Sequence, residues 1–308
     1  MQQSPIDTSY RRRLRQAVFP VAESSAPEPR RPAAVTGLIL DAGPHLLVLA
    51  TPDGREVRQP ISDQTAVWYA GTADRTALQP GRRAIVRPTP DGSVADRVWV
   101  DIIRANGTIV ARDRTTVEID EGPHRGRTHV VIPARSLSHI LVRHPHFDPG
   151  YLFDVIGVRS DSGLVAVRPG APQPPYPADH VPKPRPVTPV PHVLAGTATW
   201  FGKLASCQQA AYPALDPSSG GCAAAHGGCA RLPYLSLGSE LLVRNECTGR
   251  SATVPVTECG CVAARFCDRC VQCGTSPRGR IVELSPASFV DLGGDLDEGC
   301  FNVTVRVG

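Results

Sequence analysis

The chain has 308 residues, 41% of them hydrophobic and 20% charged, with a formal net charge of +4. That length allows two or three domains with real cores, and that composition excludes an intrinsically disordered chain. No run of about 18 apolar residues occurs, so no membrane span is expected, and the modest basic excess reads as a solvated face, with no nucleic acid expected as partner. Thirty-one Pro and 28 Gly, with one Met and little 3.6-residue periodicity, favour short strands joined by turns, hence an all-β fold.

Residues 1–33 are rich in Pro, Ser and Arg without periodicity and are expected to be a disordered arm. Two segments that resemble each other follow. Gly37-Leu38-Ile39-Leu40, then Leu46 to Leu49, then Pro80-Gly81 before Ala84 to Arg87, is echoed by Gly107-Thr108-Ile109-Val110, Thr115 to Ile119, and Pro149-Gly150 before Phe153 to Val158. The spacing is 70 residues for Gly37 to Gly107 and 69 for Gly81 to Gly150, which predicts a duplicated β unit. Val/Ile/Thr/Leu alternation and the turns Pro52-Asp53-Gly54 and Pro90-Asp91-Gly92 predict two small OB-like barrels, over 34–103 and 104–168. Trp68, Tyr69 and Trp99 are scattered rather than set out as a stacking platform, which favours a binding or spacer module over a single-strand binder. His139, His144 and His146, beside His124 and His129, are read as loop-surface residues because no carboxylate or thiolate motif accompanies them; no metal site is expected there.

Between Pro169 and Pro191, ten of 23 residues are proline. The stretch 169–192 is expected to be an extended spacer, able to hold its two sides up to about 70 Å apart at ~3.1 Å per residue.

All ten cysteines lie in the last domain, 193–308: Cys207, Cys222, Cys229, Cys247, Cys259, Cys261, Cys267, Cys270, Cys273 and Cys300. An even number confined to one domain reads as a disulfide framework formed in an oxidising compartment, with connectivity left open. The spacing from Cys259 to Cys273 also suits zinc, so a Cys-rich metal-binding interaction module stands as one alternative. The cysteines point to an extracellular or cell-envelope location. The first residues do not read as an export signal, since Arg11 to Arg15 is followed only by the short, Pro-broken Ala17 to Ala22; a cytoplasmic location stays open.

The last domain opens with Ala195-Gly-Thr-Ala-Thr-Trp200-Phe201-Gly202. It continues through Ala224-Ala225-His226, Leu232-Pro233-Tyr234, Gly238 to Asn245, Thr248-Gly249-Arg250-Ser251, and Ile281-Val282-Glu283-Leu284-Ser285-Pro286. These blocks, in this order, resemble the RlpA-like (rare lipoprotein A) and expansin-like domains. The resemblance implies a C-terminal double-psi β-barrel closed by Phe301 to Val307, with Ser285 capping a short helix that begins at Pro286. It further implies a protein that acts on cell-wall polysaccharide, peptidoglycan above all, by lytic transglycosylation: a carboxylic acid protonates the glycosidic oxygen and the sugar's own hydroxyl attacks.

Carried onto this sequence, the implied catalytic set is Glu258, His226 and Asp216, with Tyr234, Trp200 and Arg250 as substrate-binding residues and no cofactor or metal. Glu258 stands where the family has aspartate, and Cys261 where it has proline. A carboxyl displaced by about 1 Å can cost on the order of 10²-fold in rate, so a non-catalytic, expansin-like polysaccharide-binding protein is the other alternative.

Overall fold

The computed structural model describes residues 33–161, 163–170, 192–202, 209–216, 218, 229–260 and 262–307. The expected arm before residue 33 and the interior of the Pro-rich spacer lie outside them.

The first unit comprises β1 (Val35–Ala42), β2 (Leu46–Ala50), β3 (Glu56–Pro60), β4 (Ala66–Tyr69), β5 (Thr72–Ala73), β6 (Arg83–Pro88) and β7 (Ala95–Val100). They form one sheet in the order β3-β2-β1-β6-β7-β4-β5. The β2–β3 and β6–β7 hairpins turn at the two Pro-Asp-Gly sequences, where Gly54 and Gly92 adopt φ of 81° and 76°, a region open to glycine without strain. Pro60, with no N–H for a ladder, ends β3. The chain resumes as β4, which pairs in parallel with β7. The expected five-stranded barrel is therefore a sheet of seven pieces with a broken third strand, and no strand pairing among the described residues closes it.

The second unit is a closed five-stranded barrel of β8 (Ile102–Arg112), β9 (Thr116–Asp120), β10 (Arg127–Val131), β11 (Leu152–Ser160) and β12 (Gly163–Pro169), with the helix Ala134–Leu141 between β10 and β11. Only β10 and β12 pair in parallel, an OB-like arrangement.

The duplication is visible bond for bond. Leu38 faces Ala50 across β1–β2, and Thr108 faces Asp120 across β8–β9, each partner moved by 70 positions; both strands bulge at the next step, between Ile39 and Asp41 and between Ile109 and Ala111. Gly81 N–H donates to the Ile39 carbonyl at 2.8 Å, and Gly150 N–H to the Ile109 carbonyl at 2.8 Å. A Cβ on Gly37 or Gly107 would collide with the carbonyl of Ala50 or Asp120, so both strands need glycine at this close backbone approach, two residues before the bulge.

The third unit contains β13 (Val193–Trp200), β14 (Ala210–Tyr212), β15 (Glu240–Asn245), β16 (Ser251–Cys259), β17 (Cys267–Cys270), β18 (Gly274–Leu284) and β19 (Phe301–Val307). The order β13-β19-β15-β16-β14-β18 closes through a parallel β13–β18 pairing, and β14–β16 is a second parallel pair. This is the expected double-psi barrel, with β17 a side ribbon on β18. Leu241, Val243, Val254 and Val256 alternate inward and fill it. Ser285 Oγ accepts the Ser288 N–H ahead of the helix Pro286–Asp291, as its sequence implies.

The three units dock directly, so the reach of the spacer is not used to hold them apart. Trp99 of the first unit and Ile156 of the second belong to one buried cluster with Trp200, Leu284 and Phe301 of the third. At the first–third contact, Trp99 Nε1 donates to Asp297 at 2.9 Å, and Arg97 pairs with Asp295. Burial, then the hydrogen bond and charge of Asp297, push Asp295 up to about 7 against the pull of Arg97 and Arg87.

One histidine departs from the surface reading. His144 is buried, its Nε2 lies 2.9 Å from the Asp154 carbonyl, and burial lowers its pKa. The aromatic and carbonyl groups around it suit a neutral ring.

Candidate functional site

Glu258 lies near the end of β16, one residue before the buried Cys259. Parallel pairing sets it opposite Ala211 of β14, at the rim of the third barrel. What meets it there is the second barrel. The β9–β10 turn, with Gly122 and Gly126 at φ of 95° and 75°, delivers Arg125 to the carboxylate. Arg125 Nε and Nη2 donate to Glu258 Oε1 at 3.0 and 2.8 Å. Its Nη1 forms an ion pair at 2.8 Å with Glu283 Oε2 on β18, without the alignment of a hydrogen bond. The guanidinium also stacks over Phe201, with 5.1 Å to the ring centre.

Glu283 is 1% exposed and takes Asn106 Nδ2 at 2.5 Å. Burial would raise its pKa; Arg125, Arg280 and Arg104 outweigh that and lower it. Glu121, beside this group, goes the other way: burial raises it, and the nearby Glu283 charge adds to the effect.

A second network continues inward. Arg280 Nη2 bridges Asp268 at 2.9 Å and Asp154 at 2.5 Å, and Arg104 holds the same Asp154 through two bonds of 2.9 and 2.6 Å. Arg104 also donates to the Gly299 carbonyl. Arg104 and Asp154 belong to the second barrel, and Arg280 and Asp268 to the third. Burial pushes Asp154 up, but the two arginines hold it down at about 2. Such a fully buried array is stable only because every charge has a partner with good geometry.

The remaining expected residues have surroundings of their own. Trp200 is fully buried, and its Nε1 donates to the Leu296 carbonyl at 2.9 Å, so its ring has no face open to a sugar and belongs to the core. Asp216 accepts from Ser218 N and Oγ at 2.9 and 2.8 Å; those bonds lower its pKa and fold the loop after β14. Tyr234 is 50% exposed and available to a ligand. Arg250 borders a recess shared with Arg87 of the first unit and donates to the Asp291 carbonyl at 3.4 Å. His226 lies outside the described residues, as do Cys207, Cys222 and Cys261.

Two disulfides join Cys229 to Cys267 and Cys247 to Cys273; Cys259 is also disulfide-bonded. Cys270 and Cys300 are buried free thiols. The sulfurs of Cys247, Cys270 and Cys273 lie within 4.8 Å of one another. With two of them joined, the trio offers one thiol, fewer than the four ligands of a structural zinc site. The bridges indicate an oxidising environment.

Sequence reading missed Arg125, Arg104, Arg280, Asp154 and Asp268, since no local pattern marks a charged residue as the partner of one on another barrel. Compared with models of known protein families and with curated proteins, the chain matches none.

Proposed function

We propose that this chain binds cell-wall polysaccharide through its double-psi barrel and does not cleave it, an expansin-like role. The observation that carries the choice between binding and cutting is the Arg125–Glu258 contact. A general acid must present a proton to the glycosidic oxygen from within about 2.6–3.2 Å. Oε1 of Glu258 instead accepts two N–H groups from a guanidinium that the second barrel places there. The half-exposed Tyr234 offers an aromatic face of the kind that packs on sugar rings, and the bridged cysteines suit an extracellular or envelope setting. The ordered sequence blocks of the last domain, together with its closed six-stranded barrel, support the wall-glycan assignment.

The test is sedimentation with peptidoglycan sacculi. The full chain should pellet with the wall material, Tyr234→Ala should weaken pelleting several-fold, and Glu258→Gln should leave it unchanged. A chain that stays in the supernatant at every wall concentration contradicts the reading.

A further inference from the structure

The three units enclose a cleft of about 800 Å³ where they meet, toward the upper end of the ~300–1,000 Å³ usual for small-ligand sites. It is separate from the Arg125–Glu258 contact and takes no part in the argument above. Its cations are Arg97 and Arg168, from the first and second units, Arg143, just past the helix Ala134–Leu141, and Arg269, on β17. Its acids are already engaged: Asp297 faces Arg97 at 3.6 Å and Arg168 at 3.9 Å, and Glu298 accepts from Gln272. Arg143 and Arg269, both exposed, enter no ion pair or side-chain hydrogen bond among the described residues. The cleft therefore holds two uncommitted guanidinium forks on different barrels, in a chain where most arginines near an acid are spent on it.

Beside each fork stands an aliphatic side chain turned to solvent: Val142 next to Arg143, 73% exposed, and Val271 two positions from Arg269, 67% exposed. Guanidinium forks match oxyanions bidentately, and the valines offer apolar contact to the body that carries them. Two forks on separate barrels suit a ligand with anionic groups repeated along its length better than a single small anion. The rings at the cleft are Trp68, only 6% exposed, and one exposed imidazole, His139, which together do not make the row of aromatic side chains on which successive nucleic-acid bases stack. Sugar rings have apolar C–H faces that need no such platform.

We propose that this junction cleft binds an acidic oligosaccharide, with Arg143 and Arg269 taking two of its carboxylates and Val142 and Val271 packing against its ring faces.

Titration calorimetry of the full chain with a short oligogalacturonate tests this. Binding should be saturable and should weaken about tenfold in Arg143→Gln and in Arg269→Gln, and more than either in the double variant. Both side chains are exposed, so the variants should melt with the parent. A neutral oligosaccharide of equal length should not bind, and Arg244→Gln, an exposed arginine on β15 outside the cleft, should bind like the parent. Four results overturn the proposal: no binding of the oligogalacturonate, binding indifferent to Arg143 and Arg269, equal loss in Arg244→Gln, or tighter binding of inorganic pyrophosphate at the same two arginines.

Discussion

Arg125 of the second barrel and Glu258 of the third meet at 2.8 Å, and the same guanidinium reaches Glu283 at 2.8 Å. One side chain thus neutralises two carboxylates on a neighbouring domain, of which Glu283 is 1% exposed and Glu258 retains some contact with water. Removing Arg125 takes a cation from both acids at once, although Glu283 keeps Asn106 and the ion pair with Arg280, whereas removing the Glu258 charge leaves Arg125 with Glu283. Arg125→Gln should therefore destabilise the chain by roughly 3 kcal/mol, toward the low end for a broken buried pair. Glu258→Gln should cost on the order of 1 kcal/mol, as for a partly exposed pair. Urea unfolding of the two variants gives the comparison, and an equal or reversed order would show that Glu283 does not depend on Arg125.

Asp154 sets an acid limit on stability. Its folded pKa of about 2 lies below the ordinary value of 3.8, so its ionised form is favoured by folding. The contribution is fully present above about pH 4 and is lost as pH falls toward 2, on the order of 2 kcal/mol. Urea midpoints measured from pH 5 to pH 2 should fall steeply in the parent. Asp154→Asn should begin less stable and fall less over that window.

Asp295 carries the opposite sign. Its folded pKa is raised, chiefly by burial and by Asp297, so folding favours the protonated form. That contribution is present below about pH 4 and fades as pH rises toward about 7. Asp295→Asn, which cannot ionise, should flatten the pH dependence between those limits, and an unchanged slope would mean that another group produces it.

The disulfides give a labelling pattern. Alkylation of the folded chain without reductant should spare Cys270 and Cys300, which are buried; after unfolding, still without reductant, both should react. Peptide mapping that finds label on Cys229, Cys247, Cys267 or Cys273 would contradict the pairing. Replacing Cys229 and Cys267 together by Ala should cost about 2–5 kcal/mol, since the bridge closes a loop spanning 38 positions.

The two glycines just before the bulges should behave as twins. Gly37→Ala and Gly107→Ala each force a Cβ onto a partner-strand carbonyl, and each should cost about 1–3 kcal/mol by overpacking. Melting curves with a large cost at one and none at the other would break the equivalence of the two units.

How much of this was legible in the sequence depends on what each pattern reports. Alternation of Val, Ile and Leu tells which face of a strand is buried within its own barrel, so the strands around Ile39, Ile109 and Val243 were readable. Pro-Asp-Gly and the Ser285-Pro286 pair act through local backbone chemistry and gave the turns and the helix start without tertiary help. The break at Pro60 was written in its missing N–H but not the parallel pairing of β4 with β7 that rescues the strand.

The docking of the barrels had no local signature. Arg104, Arg125 and Arg280 look like surface arginines until the partners supplied by another barrel, or from elsewhere in the chain, are known. For the same reason Glu258 reads from its neighbours as an open site carboxylate, although a residue 133 positions away occupies it. His144, between a proline and an arginine, reads as loop surface and is buried by its contact with Asp154.

The measurement that bears most directly on the account is product analysis of sacculi digests by the parent chain and by Glu258→Gln. With Arg125 bound across Glu258, the parent should release no soluble 1,6-anhydromuropeptides while still binding the wall. Release of those products by the parent, abolished by Glu258→Gln alone, would contradict it and make Glu258 a working acid despite its arginine.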